Sequence, residues 1–168
     1  FSSALSGTYN SALMAKEEVM NEFPDADITI IDTKAASMGV GLIVYYAYEL
    51  LNKGASKEEI IKWVEDNIPH TVHFFTVDDL NHLKRGGRVS ATSAALGTLL
   101  AIKPVLHVND SGQLINISKA KGRKKAIKEL FENFEKHVVN PEGQVVFISH
   151  GDCLEETEAL ANMIKEKY

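Results

Sequence analysis

Residues Ser37–Asn52 constrain this fold more than any other stretch of the chain. Val40, Leu42, Ile43, Val44, Tyr45, Ala47, Leu50 and Leu51 put apolar side chains on most sides of a helix, so this helix is expected to be deeply buried. Gly54 stops it. On its N-terminal side, Ile28-Thr29-Ile30-Ile31 is a short, largely β-branched run, predicted to be a buried strand of the parallel kind. Before that, Thr8–Phe23 reads as an amphipathic helix, with Leu13, Val19, Met20 and Phe23 towards a core and Lys16, Glu17 and Glu18 outside. Pro24-Asp25 ends it. On the C-terminal side, Ser56-Lys57-Glu58-Glu59 is a capping box that starts a helix carrying Ile60, Ile61, Trp63 and Val64 and ending by Pro69. Helix, strand, helix and helix in this order make a piece of an α/β domain.

The pattern changes after Pro69. Val72–Val77 is predicted as a strand, Asp78–Leu83 as a short helix and Ser90–Ile102 as a helix of small residues and leucine. Pro104–Asn109 and Leu114–Ala120 form a hairpin through Asp110-Ser111-Gly112. A long amphipathic helix over Arg123–Val139, a strand at Val145–Ser149 and a helix over Leu154–Lys167 follow. The expected fold is therefore α/β with two α/β domains, residues 1–68 and 69–168, the boundary falling near 67–71. The first is expected to hold a parallel sheet and the second a mixed one. At 168 residues and 45% hydrophobic content, the chain can build one ordinary core or two small ones. It opens with neither a methionine nor a lead-in strand, as expected for the middle of a larger protein.

Two loops carry candidate chemistry. Ser2, Ser3, Ser6 and Thr8 surround Gly7 at the entry to the first helix. One such residue would be a plain helix cap. Together they offer hydroxyls, backbone N–H groups and the positive end of a helix dipole to an anion, either carboxylate or phosphate. The second loop is Lys84-Arg85-Gly86-Gly87-Arg88. It reads either as an exposed basic turn closing a short helix or as a contact for an anionic ligand or acidic partner. Arg88 is the specific contact in the second reading, because a guanidinium fork suits carboxylates and phosphates. This local positive field lies in a chain of net charge −5, which argues against a nucleic-acid coat.

Weaker signals lie elsewhere. Ala91, Ser93, Ala94, Ala95, Gly97 and Thr98 suit either close helix packing or a thin apolar ligand. Lys119, Lys121, Arg123, Lys124, Lys125 and Lys128 form a basic cluster, mostly a solvated helix face. Arg123 stands at a helix start, where a cation is unfavourable unless an anion lies beside it. Ser149-His150-Gly151-Asp152 closes a predicted strand, where α/β folds place sites. There is no G-x-S-x-G elbow, H-E-x-x-H, Walker loop or paired-cysteine site, so no metal or cofactor is expected. A lone Cys153 favours the cytoplasm, and the longest apolar run, Val40–Ala47, is too short to span a bilayer. Two enzymatic alternatives stay open. One is a phosphosugar enzyme using the Ser2–Thr8 loop, the other a serine hydrolase assembled from Ser6, His150 and Asp152.

Taken together, the chain resembles the DegV family of bacterial fatty-acid-binding proteins. The resemblance rests on Ser2–Ala12, on Ile30-Ile31-Asp32-Thr33 with Ser37-Met38-Gly39, and on Leu80–Ser90 with its Gly86-Gly87-Arg88. Ile102-Lys103-Pro104 and Gly122-Arg123-Lys124-Lys125-Ala126 complete it in the family's order. The family's amino-terminal strand with its threonine-bearing loop, and its carboxy-terminal His-Val-Gly-Pro-Gly segment, do not occur here, and Lys121 stands where the family commonly has arginine. The resemblance implies two α/β domains with one long-chain fatty acid between them. The acid's carboxylate would meet a serine of the loop of Ser2, Ser3, Ser6, Gly7 and Thr8, with Ser3 the first choice for that contact and Ser2 and Ser6 next. It further implies a carrier rather than an enzyme, one that presents the carboxylate to a separate ATP-binding fatty-acid kinase subunit, with the acyl phosphate feeding phospholipid synthesis. Gly86, Gly87 and Arg88 would contact that subunit, and Arg123 would lie near the phosphoryl group. Neither nucleic acid nor stable membrane insertion is implied.

Overall fold

The computed structural model describes residues 1–89 and 102–168, and the chain divides into two compact units. The first comprises Phe1–Thr71 and Asp110–Gln113, the second Val72–Asn109 and Leu114–Tyr168.

The first unit holds helices α1 (Thr8–Glu22), α2 (Met38–Asn52) and α3 (Lys57–Asn67), the last running into a 3-10 turn at Ile68–His70. Its core is built from Ala35, Ile43 and Val64, with Ile31, Val40, Ala47, Ile60, Trp63 and Ile68 packed around them. The capping box starts α3 as expected. Glu59 N donates to Ser56 Oγ at 3.2 Å and Ser56 N donates to Glu59 Oε2 at 2.8 Å.

Three expectations for this unit need correction. In α2 only Gly39 and Ile43 are buried, while Val44, Tyr48 and Leu51 are 59%, 59% and 57% exposed along one stripe of the helix. Helix α1 has no buried residue, and its expected core face of Leu13, Val19, Met20 and Phe23 lies open to solvent. Residues 28–31 belong to no sheet among the described residues. The reason is common to all three. Periodicity reveals that a face or an edge needs a partner, but not that the partner lies within the same stretch of chain.

The second unit is a three-stranded sheet in the order β1 (Phe74–Thr76), β2 (Ile102–Val108), β3 (Leu114–Lys121), with helices α4 (Leu80–Arg85), α5 (Arg123–His137) and α6 (Leu154–Lys167). Both pairings are antiparallel, with Phe74 opposite His107 and Val105 opposite Ser118, and the register shifts between Val105 and Leu106. Neighbouring strand residues face opposite sides. Val105 and Ala120 accordingly pack against Ala126, Ile127 and Leu130 of α5, while Leu106 meets Leu80, Phe75, Val77 and Leu83. The expected mixed sheet is thus antiparallel throughout its described strands, and Val145–Ser149 is not one of them. The helix predicted over Ser90–Ile102 lies outside the described residues, except that Ile102 begins β2.

Candidate functional site

The serine loop folds on hydrogen bonds made by its own hydroxyls. Ser2 is buried (1% exposed), with Oγ donating to Gly112 O at 2.7 Å and accepting from Ala4 N at 3.2 Å. Its backbone N–H donates to Ala35 O, and its carbonyl receives Leu5 N and Ser6 N. This close approach needs a glycine in the β2–β3 turn: Gly112 has φ +75, and a Cβ there would collide with Ser2 Oγ. Ser2 is therefore the anchor of the loop, with its hydroxyl proton already committed.

Ser3 faces a different partner. Its Oγ donates to Asp32 Oδ2 at 2.5 Å, and its N–H to Asp32 Oδ1 at 3.1 Å; Lys34 N donates to the same Oδ1 at 3.1 Å. Partial burial pushes the Asp32 carboxyl up, but the hydrogen bonds from Ser3 and Lys34 outweigh it and hold the group below its ordinary value. Ser6 and Thr8 form a third arrangement. Their hydroxyls are 2.7 Å apart, and Thr8 N donates to Ser6 Oγ at 3.2 Å. Whichever hydroxyl donates to the other, one O–H proton of the pair remains for an outside acceptor. Gly7 is the N-cap residue of α1 and makes no side-chain cap. The first unit thus brings together the expected loop residues with one that the residue pattern alone did not single out, Asp32. Its signal was position, at the end of a predicted strand where α/β folds concentrate function.

In the second unit, Gly86 and Gly87 terminate α4. Their N–H groups return to His82 O and Lys84 O, Arg88 N reaches Leu83 O, and Gly87 takes φ +73. Lys84 and Arg85 are helical rather than part of the loop. The Arg88 guanidinium donates to Gly86 O from an exposed position. Arg123, the first residue of α5, has the anion that its place at a helix start called for. Asp78 Oδ1 lies 3.8 Å from Nη1 and 2.9 Å from Lys103 Nζ. The hydrogen bond from Lys103 dominates in holding Asp78 below the usual carboxylate range, against a smaller opposing effect of burial, and Arg123 adds to it. Arg123 Nη2 also lies 3.5 Å from Cys153 Sγ. Of the hydrolase set, Ser6 is bound to Thr8, and His150 Nδ1 accepts from Cys153 N at 3.2 Å. Among the described residues no helix is long and apolar enough to cross a membrane, and no group of three or more His, Cys, Asp or Glu could hold a metal ion.

Comparison with known proteins shows the family. The sequence profile described as "Uncharacterised protein, DegV family" matches residues 1–168, and the chain belongs to the DegV family. It is 60% identical over 168 residues to a DegV domain-containing protein of Clostridium perfringens, covering 100% of this chain and 58% of that protein. Among solved structures, a DegV family protein from Eubacterium eligens loaded with heptadecanoic acid is similar at TM-score 0.91 and 27% identity. A DegV family protein from Ruminococcus gnavus refined with vaccenic acid is similar at TM-score 0.89 and 29% identity. In both cases the likeness covers 100% of this chain and 60% of the other.

Proposed function

We propose that this chain belongs to a lipid carrier that holds one long-chain fatty acid and presents its carboxyl group to a separate ATP-binding kinase subunit. The observation that carries the reading is the fold match along the whole chain to two family members whose structures hold a fatty acid. The serine loop supports it from this chain's own residues: the Ser6–Thr8 pair keeps one O–H proton for a ligand oxygen. In this reading the loop of Ser2, Ser3, Ser6, Gly7 and Thr8 orients the carboxyl end. The acyl tail supplies affinity at about 0.8 kcal/mol per buried methylene. Gly86, Gly87 and Arg88 face the kinase subunit, and Arg123 lies near the phosphoryl group. In this reading residues 1–68 and 69–168 belong to two α/β domains, as the family resemblance implies. The first domain holds a parallel sheet, with residues 28–31 as one of its strands, and the second a mixed one.

The test is chemical. The chain extended to the full length of its relatives is purified, extracted with organic solvent, and the extract is analysed by mass spectrometry. Co-purified fatty acid, or uptake of added oleic or palmitic acid, is the expected result. Folded protein with neither overturns the reading. A melting temperature raised by sugar phosphates instead of by oleate would favour the phosphosugar alternative.

A further inference from the structure

We propose that Asp32 is a positioning residue that fixes Ser3 as a hydrogen-bond acceptor towards the ligand, so that the serine loop takes the fatty acid in its protonated form. The proposal rests on the fatty-acid reading above. Ser3 Oγ has one proton, and at 2.5 Å it gives that proton to Asp32 Oδ2. Asp32 is held in the receiving role by two further donors, Ser3 N and Lys34 N, both 3.1 Å from Oδ1. What Ser3 offers a ligand is therefore the lone pairs of its oxygen. An ionised carboxylate has only acceptors and finds no donor there, and it lies beside a carboxylate of the same charge. A protonated carboxyl fits better on both counts: its O–H can be received by Ser3 Oγ, and it carries no charge to be repelled.

The neighbouring hydroxyls complete the match. Ser2 cannot replace Ser3 as a donor, because its proton is on Gly112 O at 2.7 Å and its side chain is buried. The spare proton of the Ser6–Thr8 pair suits the carbonyl oxygen of the same acid. One acceptor and one donor then meet the O–H and C=O of a neutral carboxyl group. The charged groups near Asp32 are the Phe1 α-amino group and Lys34, whose backbone N–H is the contact with Asp32. In a chain extended before Phe1 the first of these is a peptide N–H and carries no charge.

The experiment is a calorimetric titration of oleic acid into the chain extended to the full length of its relatives, between about pH 6 and pH 9. Two buffers of different ionisation enthalpy count the protons exchanged. With Asp32 present, about one proton is taken up per acid bound near pH 8, and affinity falls up to about tenfold per pH unit as pH rises. Asp32→Asn removes the charge at nearly constant shape. It is expected to cut the uptake below about half a proton and to bind at least about threefold tighter near pH 8. Equal proton counts and equal pH slopes in the two proteins overturn the proposal. A readout that needs no variant uses other head groups on the same acyl chain. Oleyl alcohol, which has a proton to donate, displaces the acid, whereas methyl oleate, which has none, is at least about tenfold weaker. Equal displacement by both overturns the proposal as well. Binding of oleic acid without proton uptake overturns the proposal alone, while no binding at any pH overturns it together with the fatty-acid reading.

Discussion

Ser2 and Gly112 are 110 positions apart and meet through one hydrogen bond of 2.7 Å, made possible because Gly112 has no side chain. Gly112→Ala combines a backbone at φ +75 with a Cβ in collision with Ser2 Oγ. It is expected to cost about 1–3 kcal/mol or more in urea denaturation. Gly143→Ala, at φ +80 with open space around it, carries only the backbone part and should cost less. His73 makes a second prediction. Both its ring nitrogens are buried without a hydrogen-bond partner. Burial first, and then the nearby His107, hold it below the ordinary 6.5. The unfolded chain therefore takes up this proton at a higher pH than the folded one. The contribution of neutral His73 to stability is complete above pH 6.5 and is lost as pH falls through the lower folded value. Urea midpoints at pH 7.5 and 5.5 should differ by less in His73→Leu than in the parent. At this scale the sequence displays an inventory of hydroxyls and cations, and it is the pairing that stays hidden. Ser3 meets Asp32 across 29 positions, and nothing local to either residue announces the other.

Among the elements, the most legible were those with local punctuation. Helix α6 runs Leu154–Lys167, the predicted range, and α5 starts at Arg123 as predicted, behind Gly122 at φ +88. The capping box of α3 makes both reciprocal hydrogen bonds. Ser56→Ala should therefore cost about 0.5–2 kcal/mol, read as a lower melting temperature with loss of helical circular dichroism. Helices α1 and α2 were legible as helices but not as buried ones. Their apolar stripes at Leu13 and Met20, and at Val44, Tyr48 and Leu51, are correct in spacing and uncovered in the first unit. Strands fared worse for a related reason. A helix satisfies its own backbone, whereas a strand exists only when a second strand lies beside it. Residues 28–31 have the composition of a strand but no ladder among the described residues, while β2 and β3 pair across their short turn.

For the molecule as a whole, the units are a helical one closed by the 110–113 turn and a three-stranded one backed by α5, in a chain that spans 58% of its Clostridium perfringens relative. The proposed division of labour predicts that Arg88→Ala, in the chain extended to full length, leaves fatty-acid binding within about twofold but lowers turnover by the kinase partner at least about tenfold. A large loss of lipid binding instead would put Arg88 in the ligand site and overturn its assignment to the partner. By itself the sequence determined the described helices, the capping box of α3, the β2–β3 hairpin, and the family resemblance held in the serine loop and the Gly86-Gly87-Arg88 turn. These depend on neighbours within a few residues, where periodicity and backbone chemistry act directly. Only the tertiary structure decided which serine hydroxyls are already committed, that Asp78 balances Arg123, and which apolar faces are covered. Each of those depends on atoms brought together from distant parts of the chain, and a hydroxyl or carboxylate has no role until the partner that takes its proton or its charge is in place.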